Sequence, residues 1–266
     1  MSTGSLPRVP LQPADVSLIN GLVSTRAIRR YTGEPVPDRV LRDILFAATR
    51  APSGSNRQPF RFLVLTESHA AAAAKQLIGD AARRVWSAKR QRDGYTQGSA
   101  AQPDSPKSRM ARTMQQYVDA FASVPVLILP CLNRYREPDY TEGANVYPAC
   151  QNLLLAARAY GYGGVLTMFH KEVEPQLRSM LGVPDATVMS ATITLGRPAG
   201  QHGQVRRRPL SELVYQDAWG EPAPWAVDPP GTAFTAAGPP RPVAGADAGP
   251  AAAGVAGTPS PAGGRS

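Results

Sequence analysis

Apolar residues recur along this chain at two periods, helical and strand-like, and the change between them predicts its elements. Behind Asp15, Val16, Ile19, Leu22 and Val23 share one face of a helix. Pro37 and Asp38 suit the first turn of a second helix, whose stripe of Val40, Leu41, Ile44, Leu45 and Ala48 runs up to Arg50. Residues 60–66, FRFLVLT, are a near-continuous apolar run, expected as a central strand covered on both faces. Residues 70–87 read as an Ala-rich helix and 110–121 as another. Between them, 93–108 dissolves into Gly, Gln, Ser, Pro and charge; so long a loop inside a domain is expected to be functional, as a lid over a site, or disordered. Residues 124–131, VPVLILPC, predict a second central strand, with Pro125 at its start, where a missing N–H is tolerated.

The second half continues the alternation. Residues 143–160 predict a long helix with Val146, Cys150, Leu153, Leu154 and Ala157 on one stripe. It is apolar around much of its circumference, so it is expected to be deeply buried or at a subunit interface. Gly161 and Gly163 are expected to close it as C-cap residues, with 164–169, GVLTMF, continuing the chain. The G-x-G-G spacing is not a dinucleotide fingerprint, which follows a strand and opens a helix; it still permits close approach of backbone to a ligand. Val173, Leu177, Met180 and Leu181 mark a short helix closed by Gly182, and the β-branched run 187–195 predicts a third strand. The stretch PLSELV reads as a brief strand or turn. Three segments follow: a loose arm at 1–12, a folded domain at 13–220, and an Ala/Gly/Pro-rich tail at 221–266 with too little apolar bulk to order itself. Trp225 and Phe234 are candidates for docking the start of that tail.

Composition narrows the function. The longest apolar run, 124–129, is too short to span a bilayer, and the first twenty residues lack the apolar block of a signal peptide. A soluble, cytoplasmic protein is expected. Cys131 and Cys150 form no C-x-x-C pair and sit in apolar stretches, so buried thiols are expected. His69, His170 and His202 lack metal-ligand spacing, and no metal site is expected. Of the net charge of +9, residues 83–112 carry +6. That density suits phosphate-bearing ligands or nucleic acid. No zinc-finger or aromatic RNA-binding signature accompanies it, so a solvated helix face is expected rather than a nucleic-acid site.

Two stretches carry candidate chemistry. Residues 51–60, APSGSNRQPF, combine two prolines and a glycine with Ser53, Ser55, Asn56 and Gln58, a stiff loop rich in donors and acceptors. It suits a flat polar ligand, although the same residues also make plain turns. Residues 25–31, TRAIRRY, place Arg26 and Arg29 three apart, on one face if the segment is a helical turn, where two guanidiniums clamp a phosphate.

The order of these pieces resembles the nitroreductase family of FMN-dependent oxidoreductases. The likeness rests on TRAIRRY, on PVPDRVLRDILFAATRAPSGSNRQPFRFLVL at 35–65, on QNLLLAARAYGYGGVLT at 151–167, and on TLGRPAG…RRRPLSELV at 194–214. It implies an α+β fold, a central mostly antiparallel sheet wrapped by helices, with residues 13–220 as the FMN-binding domain. It implies a homodimer with two FMN sites, each built from both subunits. By family pattern, Arg26, Ala27 and Arg29 meet the FMN phosphate and ring edge. Pro52, Ser53, Gly54 and Asn56 come from the second subunit, against the isoalloxazine and ribityl. Val165, Leu166 and Thr167 lie along the ring, and Arg206 and Arg208 near the phosphate, with Arg207 able to stand in for either. The family often has Arg-Arg-Ser where this chain has Thr25, Arg26 and Ala27.

The implied activity is ping-pong transfer of hydride from NADPH or NADH, through the flavin, to a small acceptor such as a nitroaromatic or quinone. The flavin N5 does the chemistry, so no catalytic side chain is required, and Arg29 is the candidate cation for the N1–C2 edge. Dehalogenation or flavin breakdown on the same fold, and FMN storage or sensing without turnover, are the alternatives.

Overall fold

Residues 126–133 form the strand around which the rest is built. In the computed structural model, which describes residues 16–201 and 203–235, this strand (β2, Val126–Asn133) is buried at every residue but its last. It pairs antiparallel on one side with β1 (Phe60–Leu65). On the other it pairs antiparallel with β5 (Thr192–Gly196) over its first half and β4 (Thr187–Met189) over its second. The remaining strand, β3 (Gly163–Thr167), pairs antiparallel with β5, giving the order β1-β2-β5-β3.

The alternation along β2 sorts the helices into two layers. Leu127, Leu129 and Cys131 join a core with α3 (His69–Arg92), α4 (Pro106–Asp119) and α6 (Glu174–Leu181). Val126 and Ile128 face the opposite way, into a core with α2 (Asp38–Ala48) and α5 (Tyr147–Ala159). Side chains of successive strand residues point to opposite faces, so a strand covered on both must be apolar throughout. Lys75 on α3 is buried, and its ammonium donates to the carbonyls of Thr66 (2.6 Å), Val124 (2.9 Å) and Pro125 (3.1 Å), tying the helix to the ends of β1 and β2.

Several expectations need correction. The segment 25–31 is extended, not a helical turn. Ile28 N–H donates to Gly164 O (2.9 Å), Thr32 N–H to Arg197 O (3.0 Å), and Tyr31 bridges Pro198. The backbone of Ile28 and of the adjoining Thr32 finds distant carbonyls, and helix formation gives way to them. Strand β1 is not central; in the described sheet it lies at one edge, with Arg61 exposed. The run 187–195 is two strands. Between the pairs Ile128↔Ile193 and Cys131↔Met189, two residues of β2 face three of the other chain segment, a bulge. It falls opposite Pro130, which has no N–H to continue the ladder and whose carbonyl accepts from Ser190 N–H (2.8 Å). Gly161 ends α5 with φ +77°, but Gly163 and Gly164 belong to β3. A Cβ on Gly164 would lie 2.5 Å from Thr194 O, so the two strands demand a glycine there. Of the stretch 93–108, its last residues already form the start of α4, capped by Ser105.

The first helix, α1 (Leu18–Ser24), is capped by Ser17 and turns its apolar residues outward: Leu18 is 70% and Ile19 68% exposed. Both cysteines are buried and free. No helix among the described residues is long and apolar enough to cross a membrane.

The chain divides into two compact units at Val205 and Arg206. In the second, the described residues run to Thr235. The stretch PLSELV contains a 3-10 turn at Leu210–Glu212, Arg207 bridges Phe234, and Tyr215 bridges Pro222. Leu210 N–H donates to Asp228 (2.9 Å), and Ala223 and Ala226 are buried. Of the expected tail, residues 221–235 thus take part in this unit; the rest of it, and the expected N-terminal arm, lie outside the described residues.

Candidate functional site

The extended segment 25–31 builds one half of a site. Anchored to Gly164 by Ile28 N–H and to Ala199, whose N–H donates to Arg30 O (3.0 Å), it forms one wall of a cavity of about 210 Å³. Residues 26–30 face Thr113 of α4 and residues 198–201 across it. Arg29 also lines an adjoining cavity of about 410 Å³ with Gln116 and Tyr117. Arg26 and Ala27 are exposed and Arg29 is half-buried.

Arg29 is the polar residue this half leaves unsatisfied. Its Nε is buried and has no hydrogen-bond partner among the described residues, and the Thr25 hydroxyl, four residues earlier, is in the same state. Burial pulls the guanidinium pKa down, opposed by the nearby Tyr117 and Tyr31 phenols. These phenols share the Thr194 hydroxyl, at 3.0 Å from Tyr117 and 2.8 Å from Tyr31. Burial pushes both phenol pKa values far up, so both stay neutral. A desolvated cation with an unused donor, facing a cavity, is a receptor for an anion.

Strand β3 borders this half through its backbone. Val165 is buried; Leu166 and Thr167 are half-buried. In an antiparallel strand both polar groups of a residue point the same way and alternate with the next. Gly164 O turns away from β5 to take Ile28 N–H, so the N–H and C=O of Leu166 point to that same outer edge. A planar heterocycle laid there meets one donor and one acceptor.

The loop 51–59 builds the other half. Ser55, Asn56 and Gln58 have φ of +51°, +51° and +49°. That region is easy for Asn but costs a residue such as Ser or Gln about 1–2 kcal/mol. The loop is held in it by Asn145, whose Oδ1 accepts from Gly54 N–H (2.9 Å), and by Ser53, whose Oγ accepts from Gln58 N–H (2.9 Å). Arg61 closes its far end on Gln58 O (3.1 Å). Pro52, Gly54 and Asn56 are exposed and Ser53 half-buried. The loop lines a cavity of about 530 Å³ with Tyr135, Arg136 and Asn145.

Within one chain these halves do not meet. The loop leads into β1 and the arginine segment lies along β3, at opposite edges of the four-strand path. Three strand spacings separate those edges, about 14 Å. The cavity lined by the loop shares no residue with the two lined by the arginine segment. Arg206 and Arg208 fall in the second unit, where Arg208 reaches to within 3.7 Å of Glu212.

Sequence reasoning missed Thr113, Gln116 and Asn145. The first two are ordinary polar residues within the stretch read simply as a helix. Asn145 had a signal, a polar residue inside an apolar helical stretch, and it is buried. No cluster of three or more His, Cys, Asp or Glu able to hold a metal occurs among the described residues.

An α+β sheet covered on both faces, with an anion receptor along one edge and a strained loop at the other, defines a class that sequence comparison then identifies. The sequence model of the nitroreductase family matches residues 22–197, and the chain belongs to that family. A Thermus thermophilus protein named NADH dehydrogenase is 29% identical over 208 residues, 71% of this chain and 90% of its own. A 4-nitrobenzoate reductase from Nocardioides is 27% identical over 201 residues, 66% of this chain and 78% of its own. Among solved structures, a nitroreductase from Desulfovibrio desulfuricans in complex with FMN is 27% identical, with a TM-score of 0.54 over 76% of this chain and 96% of that one.

Proposed function

We propose that this protein is an FMN-dependent oxidoreductase that takes hydride from NADH or NADPH and passes it to a small acceptor, a nitroaromatic or quinone, by a ping-pong route. The observation that carries this reading is the buried, unpartnered Nε of Arg29 beside the open edge of β3. These residues fit FMN. Arg29 and Arg26 supply cations for its phosphate and ring edge, and the backbone of residues 165–167 supplies a polar border for the ring. Arg206 and Arg208 keep the phosphate role that the family pattern implies. When bound, the flavin supplies two-electron hydride chemistry at N5.

The reading completes the site with a second copy of the chain, whose Pro52, Ser53, Gly54 and Asn56 cover the ring. The separation of the halves supports this, as do the outward-facing Leu18 and Ile19 of α1 and the exposed Phe46 of α2. With the flavin held between the two halves, donor and acceptor would share one opening, and the donor product would leave before the acceptor enters. The reading needs no nucleophile or general base. His170 is tied through both ring nitrogens, to Met189 O (2.8 Å) and the Thr192 hydroxyl (2.9 Å). Burial pushes the thiols of Cys131 and Cys150 up to about 11 and about 12, leaving them protonated. Residues 13–220 make the FMN-binding domain, and the enzyme works in the cytoplasm, where its nicotinamide donors are.

The test is the absorbance spectrum of protein supplied with FMN, before and after anaerobic NADH or NADPH. Bound flavin that bleaches is expected. No bound flavin would overturn the reading, and bound flavin that neither donor bleaches would favour storage or sensing.

A further inference from the structure

The cavity of about 530 Å³ beside the strained loop carries a charge to which the proposed FMN site gives no role. Arg57 follows Asn56 directly and lines this cavity. Its guanidinium lies over the Tyr135 ring, 4.8 Å from the centroid, and no acidic group among the described residues pairs with it. The other cations nearby are occupied. Arg136, 5.7 Å from the same ring, pairs with Asp139 (2.9 Å) and donates to the Thr141 hydroxyl (2.9 Å). Arg134 holds Glu142 through two bonds of 2.7 and 3.0 Å. Arg61 is spent on the carbonyls of Gln58 and Phe60. One exposed guanidinium is left over, lying over an aromatic ring while its N–H fork stays open.

We infer that the acceptor taken by this site is a planar aromatic carboxylate, its carboxylate held by Arg57 at the mouth of the cavity. The inference rests on the reading above, in which residues 52–56 cover the ring of the partner copy's cofactor; Arg57 then stands at the border of the reacting face. The volume accommodates a single-ring acid with room to spare, since small-ligand sites span about 300–1,000 Å³. A fork-shaped cation recognises a carboxylate in its own plane, and a charge-assisted pair of this kind is worth about 1.5–3 kcal/mol, roughly ten- to a hundredfold in affinity. A phosphate of the nicotinamide donor shares this chemistry, so the test separates the two.

FMN-supplied protein is titrated calorimetrically with benzoate and with benzamide, which keeps the ring and removes the charge. Benzoate is expected to bind at least tenfold tighter. Arg57→Gln is expected to lose that advantage and Arg57→Lys to keep part of it. In turnover, Arg57→Gln is expected to lower kcat/KM for 4-nitrobenzoate about tenfold or more, leaving its methyl ester and the KM for NADH and NADPH within twofold. Equal binding of benzoate and benzamide, or benzoate binding indifferent to Arg57→Gln, would overturn the inference. So would a rise in the donor KM with no change for 4-nitrobenzoate, which assigns Arg57 to the donor phosphate. Failure to bind flavin shows separately in the spectrum and counts against the underlying reading instead.

Discussion

The two halves of the site are made in opposite ways. The segment 25–31 owes its shape to distant partners: Ile28 N–H bonds to Gly164 O, Arg30 O takes Ala199 N–H, and its key side chain is half-buried with a donor unused. The loop 51–59 owes its shape to itself and one neighbour, with three left-handed residues pinned by Ser53 and Asn145 while its surface stays exposed. The first stores cost as a desolvated charge, the second as backbone strain. A buried charge awaits a ligand, whereas a rigid exposed loop is suited to being pressed against a ligand held elsewhere.

The largest expected effect breaks the first half. Arg29→Ala should weaken FMN binding at least a hundredfold, about 3 kcal/mol, because a charge-assisted bond in a desolvated place is lost. The same change should leave the melting temperature of the FMN-free protein unchanged or raised, since it removes an uncompensated burial cost. A fall in that temperature would show that Arg29 is a structural residue.

A smaller effect breaks the second half. Asn145→Ala removes the acceptor for Gly54 N–H, and about 1–2 kcal/mol of stability should go with it. Proteolysis should then cut first within 52–58 while the arginine segment stays protected. Cleavage spread over both regions would mean that the halves are not independently held.

The smallest sharpens the comparison. Ser55→Gly should relieve the left-handed strain, raising stability by about 0.5–1 kcal/mol in thermal unfolding after the extra chain entropy of glycine is counted. Turnover should fall, because the loop is then less firmly preset. A Ser55→Gly protein that is less stable would deny that strain is stored there.

Much of this was legible in the sequence, for identifiable reasons. The stripes of α2 and α5 and the all-apolar β2 follow from burial on known faces, and the family likeness carried the α+β antiparallel architecture. The loop 51–60 was conspicuous because Pro, Gly and short polar residues restrict a backbone locally. What stayed hidden depended on partners far along the chain. Nothing in TRAIRRY announces that Gly164 and Ala199 will bond its backbone. The run 187–195 is rich in β-branched residues throughout its length, and the proline opposite its break lies on another strand, at Pro130. Gln116 and Thr113 are polar residues on a polar helix, and only the fold turns them to the arginines.

The central claim is that a working site takes residues 25–31 and β3 from one copy and the loop 51–59 from another. Mixing two disabled variants tests it most directly. Arg29→Ala spoils the first half and Asn56→Trp the second, and the two are unfolded and refolded together in equal amounts. If the site is shared, each mixed dimer holds one site in which both halves are intact, and about a quarter of wild-type NADH-driven turnover should return, as random pairing in a two-fold dimer dictates. If the mixture does no more than the two variants do separately, each site lies within one chain and the account is wrong.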